Sequence, residues 1–483
     1  NAVELRKTLS KDIYELDYYY EYLAIAYSKA GRLKEFIDIF EKSGDLNDKP
    51  DKKAIIYNRI GNLFADSKKE QEAIPYYEKA IELDPNRSIY LGNMGLTYTK
   101  LEQWQEAIKY YQQAVELRKQ SPDDPYGLDY YYEFLSEAYF KAGRLNEFIE
   151  IFEKSGDLND NPDKKAIVYN RIGNLLANSY KEQEAIPYYE KAIELDPTRP
   201  IYLCNMGLTY TNLGQWQEAI ENHKNAVELR KTLSKDIYEL DYYYEYLAIA
   251  YSKAGRLKEF IDIFEKLGDL NDNPDKKAIV YNRIGNLLAN SYKEQEAIPY
   301  YEKAIELDPT RPIYLCNMGL TYTNLGQWQE AIENHKNAVE LRKTLSKDIY
   351  ELDYYYEYLA IAYSKAGRLK EFIDIFEKSG DLNDKPDKKA IIYNRIGNLF
   401  ADSKKEQEAI PYYEKAIELD PTRPIYLCNM GLTYAKIEQW NEAIECHKQA
   451  IELRKKSLDD PYGLDYYNSF LIEVYDKIGK KDP

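Results

Sequence analysis

The four tryptophans of this 483-residue chain, Trp104, Trp216, Trp328 and Trp440, stand 112 residues apart. Met94, Met206, Met318 and Met430 keep the same interval, as do His223, His335 and His447. The length amounts to four intervals of 112 and 35 residues more. Copies are nearly identical: residues 1–85 match 337–421 at every position, and 156–224 match 268–336. A period found by self-comparison outranks the division into about three domains that length alone suggests. Such a chain stacks copies of one small unit and builds its core between neighbours. Identity at solvent-facing positions exceeds what folding requires, and it points to recent duplication or deliberate construction.

Each interval divides again. One stretch reads Tyr57-x2-Ile60-Gly61-x2-Phe64, then Ala73-x3-Tyr77, then Pro85. The next reads Leu91-x2-Met94-Gly95-x2-Tyr98, then Ala107-x3-Tyr111, and the one before reads Tyr20-x2-Leu23-Ala24-x2-Tyr27, then Phe36-x3-Phe40. Tyr57, Ile60, Gly61 and Phe64 fall on one face of a helix, and Ala73, Ile74, Tyr77, Ala80 and Ile81 on one face of the next. These stretches resemble tetratricopeptide (TPR) repeats, with their W-x2-L-G-x2-Y…A-x3-F…P pattern. Units start at 17, 54, 88, 129, 166, 200, 241, 278, 312, 353, 390 and 424, with a partial one at 465, so spacings cycle 37, 34, 41. The resemblance implies an all-α, right-handed solenoid superhelix of antiparallel helix pairs, about 12 units in four modules. The divisions are a partial unit at 1–16, modules at 17–128, 129–240, 241–352 and 353–464, and a capping segment at 465–483.

Some positions depart from that pattern. Ala24 replaces the usual Gly, and a bulky Phe36 replaces the usual Ala, which should push its helix pair apart or tilt it. The 41-residue spacing predicts a longer second helix or loop around Leu117–Leu128, including Ser121–Pro125. Pro75 and its copies Pro187, Pro299 and Pro411 are read into about the first turn of the second helix, where a missing N–H costs little.

Composition agrees with helices, since 22 Gly and 19 Pro are too few for many short strands. The net charge of −17 opposes nucleic acid, and no Lys/Arg block longer than two or three residues overrides it. No apolar window of about 18 residues exists, so membrane insertion is not expected. Four Cys rule out a disulfide framework. A cytoplasmic location is the default, and an upstream signal would make it extracellular. Asn1–Leu5 corresponds to Gln113–Leu117, inside a second helix, which predicts further residues upstream.

Chemistry is sparse. Three His one module apart cannot converge on a metal, which needs about four ligands. Standing where the first module has Tyr111, each is expected to be partly buried and hydrogen-bonded. Cys204, Cys316 and Cys428 share one phase with no His in the same stretch, so no nucleophilic dyad forms. They serve close packing or line a groove. No phosphate-cradling loop or hydrolase motif occurs. An enzyme is therefore not expected, nor any cofactor.

Binding is the expected function. The first helix of each TPR unit typically lines a concave surface. Counting the second, fifth, ninth and twelfth residues gives Ile55, Asn58, Asn62 and Ala65, with Arg59 beside them, and Asn93 close to the stripe in the next unit. The copies are Asn170, Arg171, Asn174 and Asn205; Asn282, Arg283, Asn286 and Asn317; Asn394, Arg395, Asn398 and Asn429. In the first unit the stripe brings Tyr18, with Tyr22 adjacent. Asn offers a donor and an acceptor to an extended backbone, Arg suits a carboxylate, and Tyr gives contact area at low entropy cost. A multivalent scaffold for extended peptide segments of a protein partner, itself repetitive, fits this ladder. Copying of exposed polar residues along with the module explains it equally. The alternative function is structural: open solenoid ends allow head-to-tail self-association into a fibre or array. Against that, Asn468, Ser469, Glu473 and Asp476 make the last helix a polar cap. The 51 tyrosines come to about 13 per module. Over one interval, residues 14–125, six of the 13 occupy signature positions, leaving Tyr14, Tyr18, Tyr19, Tyr22, Tyr76, Tyr90 and Tyr110.

Overall fold

The computed structural model describes residues 16–120, 126–233, 238–345, 351–456 and 461–479. The readings that fall on 1–15, including Tyr14, on the 121–125 linker and on 480–483 lie outside the described residues. Among the described residues there are 25 α-helices and no strand, an all-α solenoid of helix pairs. The chain divides into two compact units, residues 1–239 with 253–255, and residues 240–252 with 256–483.

In the first unit, α1 (Leu16–Lys29) pairs with α2 (Leu33–Ser43), α3 (Pro50–Asp66) with α4 (Glu70–Leu83), and α5 (Ser88–Lys100) with α6 (Trp104–Gln120). Helix α3 starts at Pro50, four residues before the unit start at 54. Proline at the first helical position loses only an N–H that has no helical partner, and Asp51 suits the positive end of the helix. One face of α3 then buries Ala54, Tyr57, Ile60, Gly61 and Phe64. A Cβ at Gly61 would stand 2.6 Å from the Tyr77 ring, so the glycine is what lets α3 and α4 meet. Gly95 does the same for α5 and α6 over Tyr111.

The Phe36 departure is absorbed by aromatic packing. Phe36 is wholly buried, with the rings of Tyr20, Tyr27 and Phe40 centred 6.4, 6.0 and 6.0 Å away. Helix α2 is short, 11 residues, and stops at Gly44 with φ of 67°. That left-handed cap is one glycine adopts without steric penalty. Helix α1 packs directly on α3 as well as on α2. The extra spacing at the end of the module is partly helix, since α6 has 17 residues against 14 for α4.

Two expectations need correction. Pro75 is the sixth residue of α4, inside the helix, where its missing N–H would have bonded the Gln71 carbonyl. Tyrosine is also more structural than the motif count suggests. Tyr90 is buried, and Tyr131 and Tyr355, the copies of Tyr19, are completely so. The last helix, Leu464–Lys477, exposes Ser469, Glu473 and Asp476, and Asn468 is half-buried.

Candidate functional site

Helix α3 carries Asn58, Arg59 and Asn62 half-buried on the side that faces α5. Asn58 and Asn62 are one turn apart, so they share a face. From α5, the Asn93 side-chain amide donates to Asn58 Oδ1 at 2.9 Å. The copies Asn205 to Asn170, Asn317 to Asn282 and Asn429 to Asn394 do the same at 3.0 Å. Asn62 Oδ1 accepts from the buried Tyr77 hydroxyl at 2.9 Å, and Asn174, Asn286 and Asn398 accept from Tyr189, Tyr301 and Tyr413 at the same distance. Each asparagine is thus half used. Asn58 Nδ2, Asn62 Nδ2 and Asn93 Oδ1 make no side-chain bond among the described residues, leaving two donors on α3 and an acceptor on α5.

The arginines are less free than the sequence suggests. Arg59 on α3 donates through Nε to Glu21 on α1 at 2.9 Å, Arg283 to Glu245 at 2.7 Å and Arg395 to Glu357 at 2.8 Å. Their first carboxylate is internal. The second module differs. Its position equivalent to Ile25 is Glu137, which takes Arg171 at 2.6 Å. Glu133, the copy of Glu21, is there pushed above its ordinary pKa by burial, with Arg171 opposing the shift.

A cavity of about 220 Å³ opens between α3 and α5. It gathers Arg59, Asn62 and Asn93, which the sequence singled out, and adds Asp66, Leu96 and Lys100, which it did not. Leu96 is the ninth residue of its unit, so the same count carried one unit further finds it. Leu208 and Leu320, its copies, are 37% and 36% exposed.

Tyr18 and Tyr22 lie outside this cavity. Their rings pack on each other at 4.8 Å, and Tyr22 is 59% exposed. Two counterparts of Tyr22 are half-buried against the preceding second helix: Phe134 stacks on Tyr111 at 5.9 Å and Tyr358 on His335 at 6.0 Å. That position packs neighbouring repeats together in the second and fourth modules.

The histidines correct their expectation. They are fully buried, and both ring nitrogens of His335 and His447 lack a partner among the described residues. Burial pushes His223 and His335 down to about 3 and His447 to about 4, so all three are neutral at ordinary pH. Cys204, Cys316 and Cys428 are buried and pack rather than line the groove. Burial raises the thiols of Cys204 and Cys316 to about 12, so both are protonated at ordinary pH. Among the described residues no cluster of His, Cys, Asp or Glu could hold a metal, and no helix is long and apolar enough to cross a membrane.

Sequence profiles described as tetratricopeptide repeat match residues 54–87, 86–155, 166–199, 188–221, 278–311, 300–333 and 388–456, together more than half of the chain. The chain belongs to the tetratricopeptide repeat family. This TPR chain is 29% identical to Hsp70-Hsp90 organizing protein 1 of Glycine max over 206 residues, 35% of each protein. It is 26% identical to the human Protein O-mannosyl-transferase TMTC3 over 281 residues, 56% of this chain and 30% of that one. TPR repeat-containing protein YpiA of Bacillus subtilis is 25% identical over 347 residues, 71% of this chain and 74% of its own length. The TPR chain spans about a third of the organizing proteins and the transferase it matches. A solved structure, YrrB, described as a TPR protein with an unusual peptide-binding site, overlays at 23% identity over 40% of this chain and 92% of that one, with a TM-score of 0.27.

Proposed function

We propose that this chain is a non-catalytic interaction scaffold whose first-helix grooves hold extended peptide segments of a protein partner, at four similar sites. The observation that carries the reading is the α3–α5 cavity. Its lining offers the unpaired Asn62 Nδ2 donor and the Asn93 Oδ1 acceptor beside the half-buried Leu96, and Asn58, one helical turn before Asn62, adds a second donor on the same face of α3. An extended strand has the complementary backbone groups and side chains for the leucine to cover. Two relatives are named for interactions with other proteins or signals, Hsp70-Hsp90 organizing protein 1 of Glycine max and Peroxisomal targeting signal receptor of Candida albicans, which supports an interaction role. Repetition of the same groove suits a partner with repeated segments, because linked weak sites gain avidity.

The test is selection of linear peptides from a random-sequence display library on the immobilised full chain. Changing Leu96, Leu208, Leu320 and Leu432 to Asp, or Asn58 and Asn62 with their copies to Ala, should abolish recovery while circular dichroism stays helical. Undiminished recovery by the folded leucine variant would rule out these grooves as the binding surface.

A further inference from the structure

The four copies of the groove are not chemically alike. Nine residues line the α3–α5 cavity. Seven of them, Arg59, Asn62, Ala65, Tyr77, Asn93, Leu96 and Thr97, are the same in every module. The other two change together. Asp66 and Lys100 recur as Asp402 and Lys436 in the fourth module, but the second has Asn178 and Asn212 and the third Asn290 and Asn324. All eight side chains are exposed. Asp66 and Lys100 have no ion-pair or hydrogen-bond partner among the described residues, so their charges are available at the cavity mouth.

Local stability does not account for the exchange. Asp66 and Lys100 are each the last residue of a helix. A lysine there is favoured by the helix dipole and an aspartate is disfavoured. Replacing both by Asn therefore has opposite and small local effects. Net charge is unchanged as well, since one positive and one negative group leave together. What does change is what the cavity mouth can recognise.

We propose that the groove has two specificities, in the chain order charged, neutral, neutral, charged. The Asp66/Lys100 and Asp402/Lys436 sites each take one basic and one acidic side chain of an extended peptide. The Asn178/Asn212 and Asn290/Asn324 sites take uncharged polar side chains. Each compact unit then carries one site of each kind. This rests on the groove reading above.

The experiment compares the full chain with the D66N/K100N/D402N/K436N variant, which installs residues the middle modules already carry. Both are panned against the random-sequence display library. The wild-type pool should be enriched in peptides holding both an acidic and a basic residue. The variant should lose that enrichment and bind those peptides at least about tenfold more weakly. Raising salt should weaken the wild-type complexes and leave those of the variant nearly unchanged. If both proteins select the same peptides with equal affinity, while the leucine-to-aspartate variant still recovers none, the two-specificity assignment is wrong and the groove stands. If the wild type recovers no peptide, or the leucine variant recovers as many, the groove reading falls and this inference with it.

Discussion

Asn58 shares a helix face with the cavity residue Asn62 and ties α3 to α5 through the cavity residue Asn93, so that partner should matter for stability as well as for binding. Asn93→Ala removes the donor from Asn58 Oδ1, which is half-buried, and should cost about 1 kcal/mol, read as a lower denaturant midpoint. This double role is only partly legible in sequence. The helical stripe identifies Asn58 and Asn62, because residues one turn apart share a face. It cannot reveal that Arg59 already meets Glu21, a residue 38 positions away, since that requires the packing of α1 on α3. Nor does it reveal that His335 is buried without a partner, because a polar residue at a packing position normally finds one. That histidine makes a pH prediction. Folded, His223 and His335 titrate near 3 and His447 near 4, against about 6.5 when unfolded. The folded state therefore binds fewer protons below about 6.5. The stability that neutral burial preserves is complete above that pH and is lost as pH falls toward the folded values, by up to about 1.4 kcal/mol per pH unit for each histidine. The H223Y/H335Y/H447Y variant copies Tyr111, which is 1% exposed at the same place in the first module. Its denaturant midpoint should drop markedly less than that of the wild type between pH 7 and pH 5. Equal drops would mean that other groups govern the acid sensitivity.

Individual helices were largely legible because the apolar stripe and the period reinforce each other, and the misses are at their ends. Helix α3 begins a turn early because Pro50 and Asp51 make a good start outside the apolar stripe, and stripe counting does not see caps. The sequence places Pro75 near the first turn because the start of α4 has no side-chain cap to mark it. Pro75→Ala should restore the missing helical N–H at an exposed position and raise stability by roughly 1 kcal/mol or more. Gly61→Ala should act the other way. Its Cβ would meet the Tyr77 ring at 2.6 Å, and because that ring is buried and bonded to Asn62 it cannot swing aside freely. A loss of roughly 1–3 kcal/mol is expected, read from thermal or denaturant unfolding. The same shift in Tyr77 would move Asn62, so peptide recovery should fall with it.

Over the whole chain, stacking should confine such damage to its neighbourhood. In repeat proteins each unit contacts mainly the next, and stability is close to a sum of unit and nearest-neighbour terms. Gly61 lies in the first compact unit and Gly397, its copy, in the second. Gly61→Ala should therefore lower hydrogen-exchange protection in α5 and α6 and leave the equivalent helices Pro424–Lys436 and Trp440–Lys456 as they were. The choice of reporter matters. Residues 50–85 and 386–421 are identical, so peptides from them cannot be assigned to one module. Those from 88–120 and 424–456 differ in sequence and can be. Loss of protection in both regions together would mean that the chain unfolds as one cooperative body. In that case the groove copies would not be independent, and a peptide in one of them would alter affinity at the others.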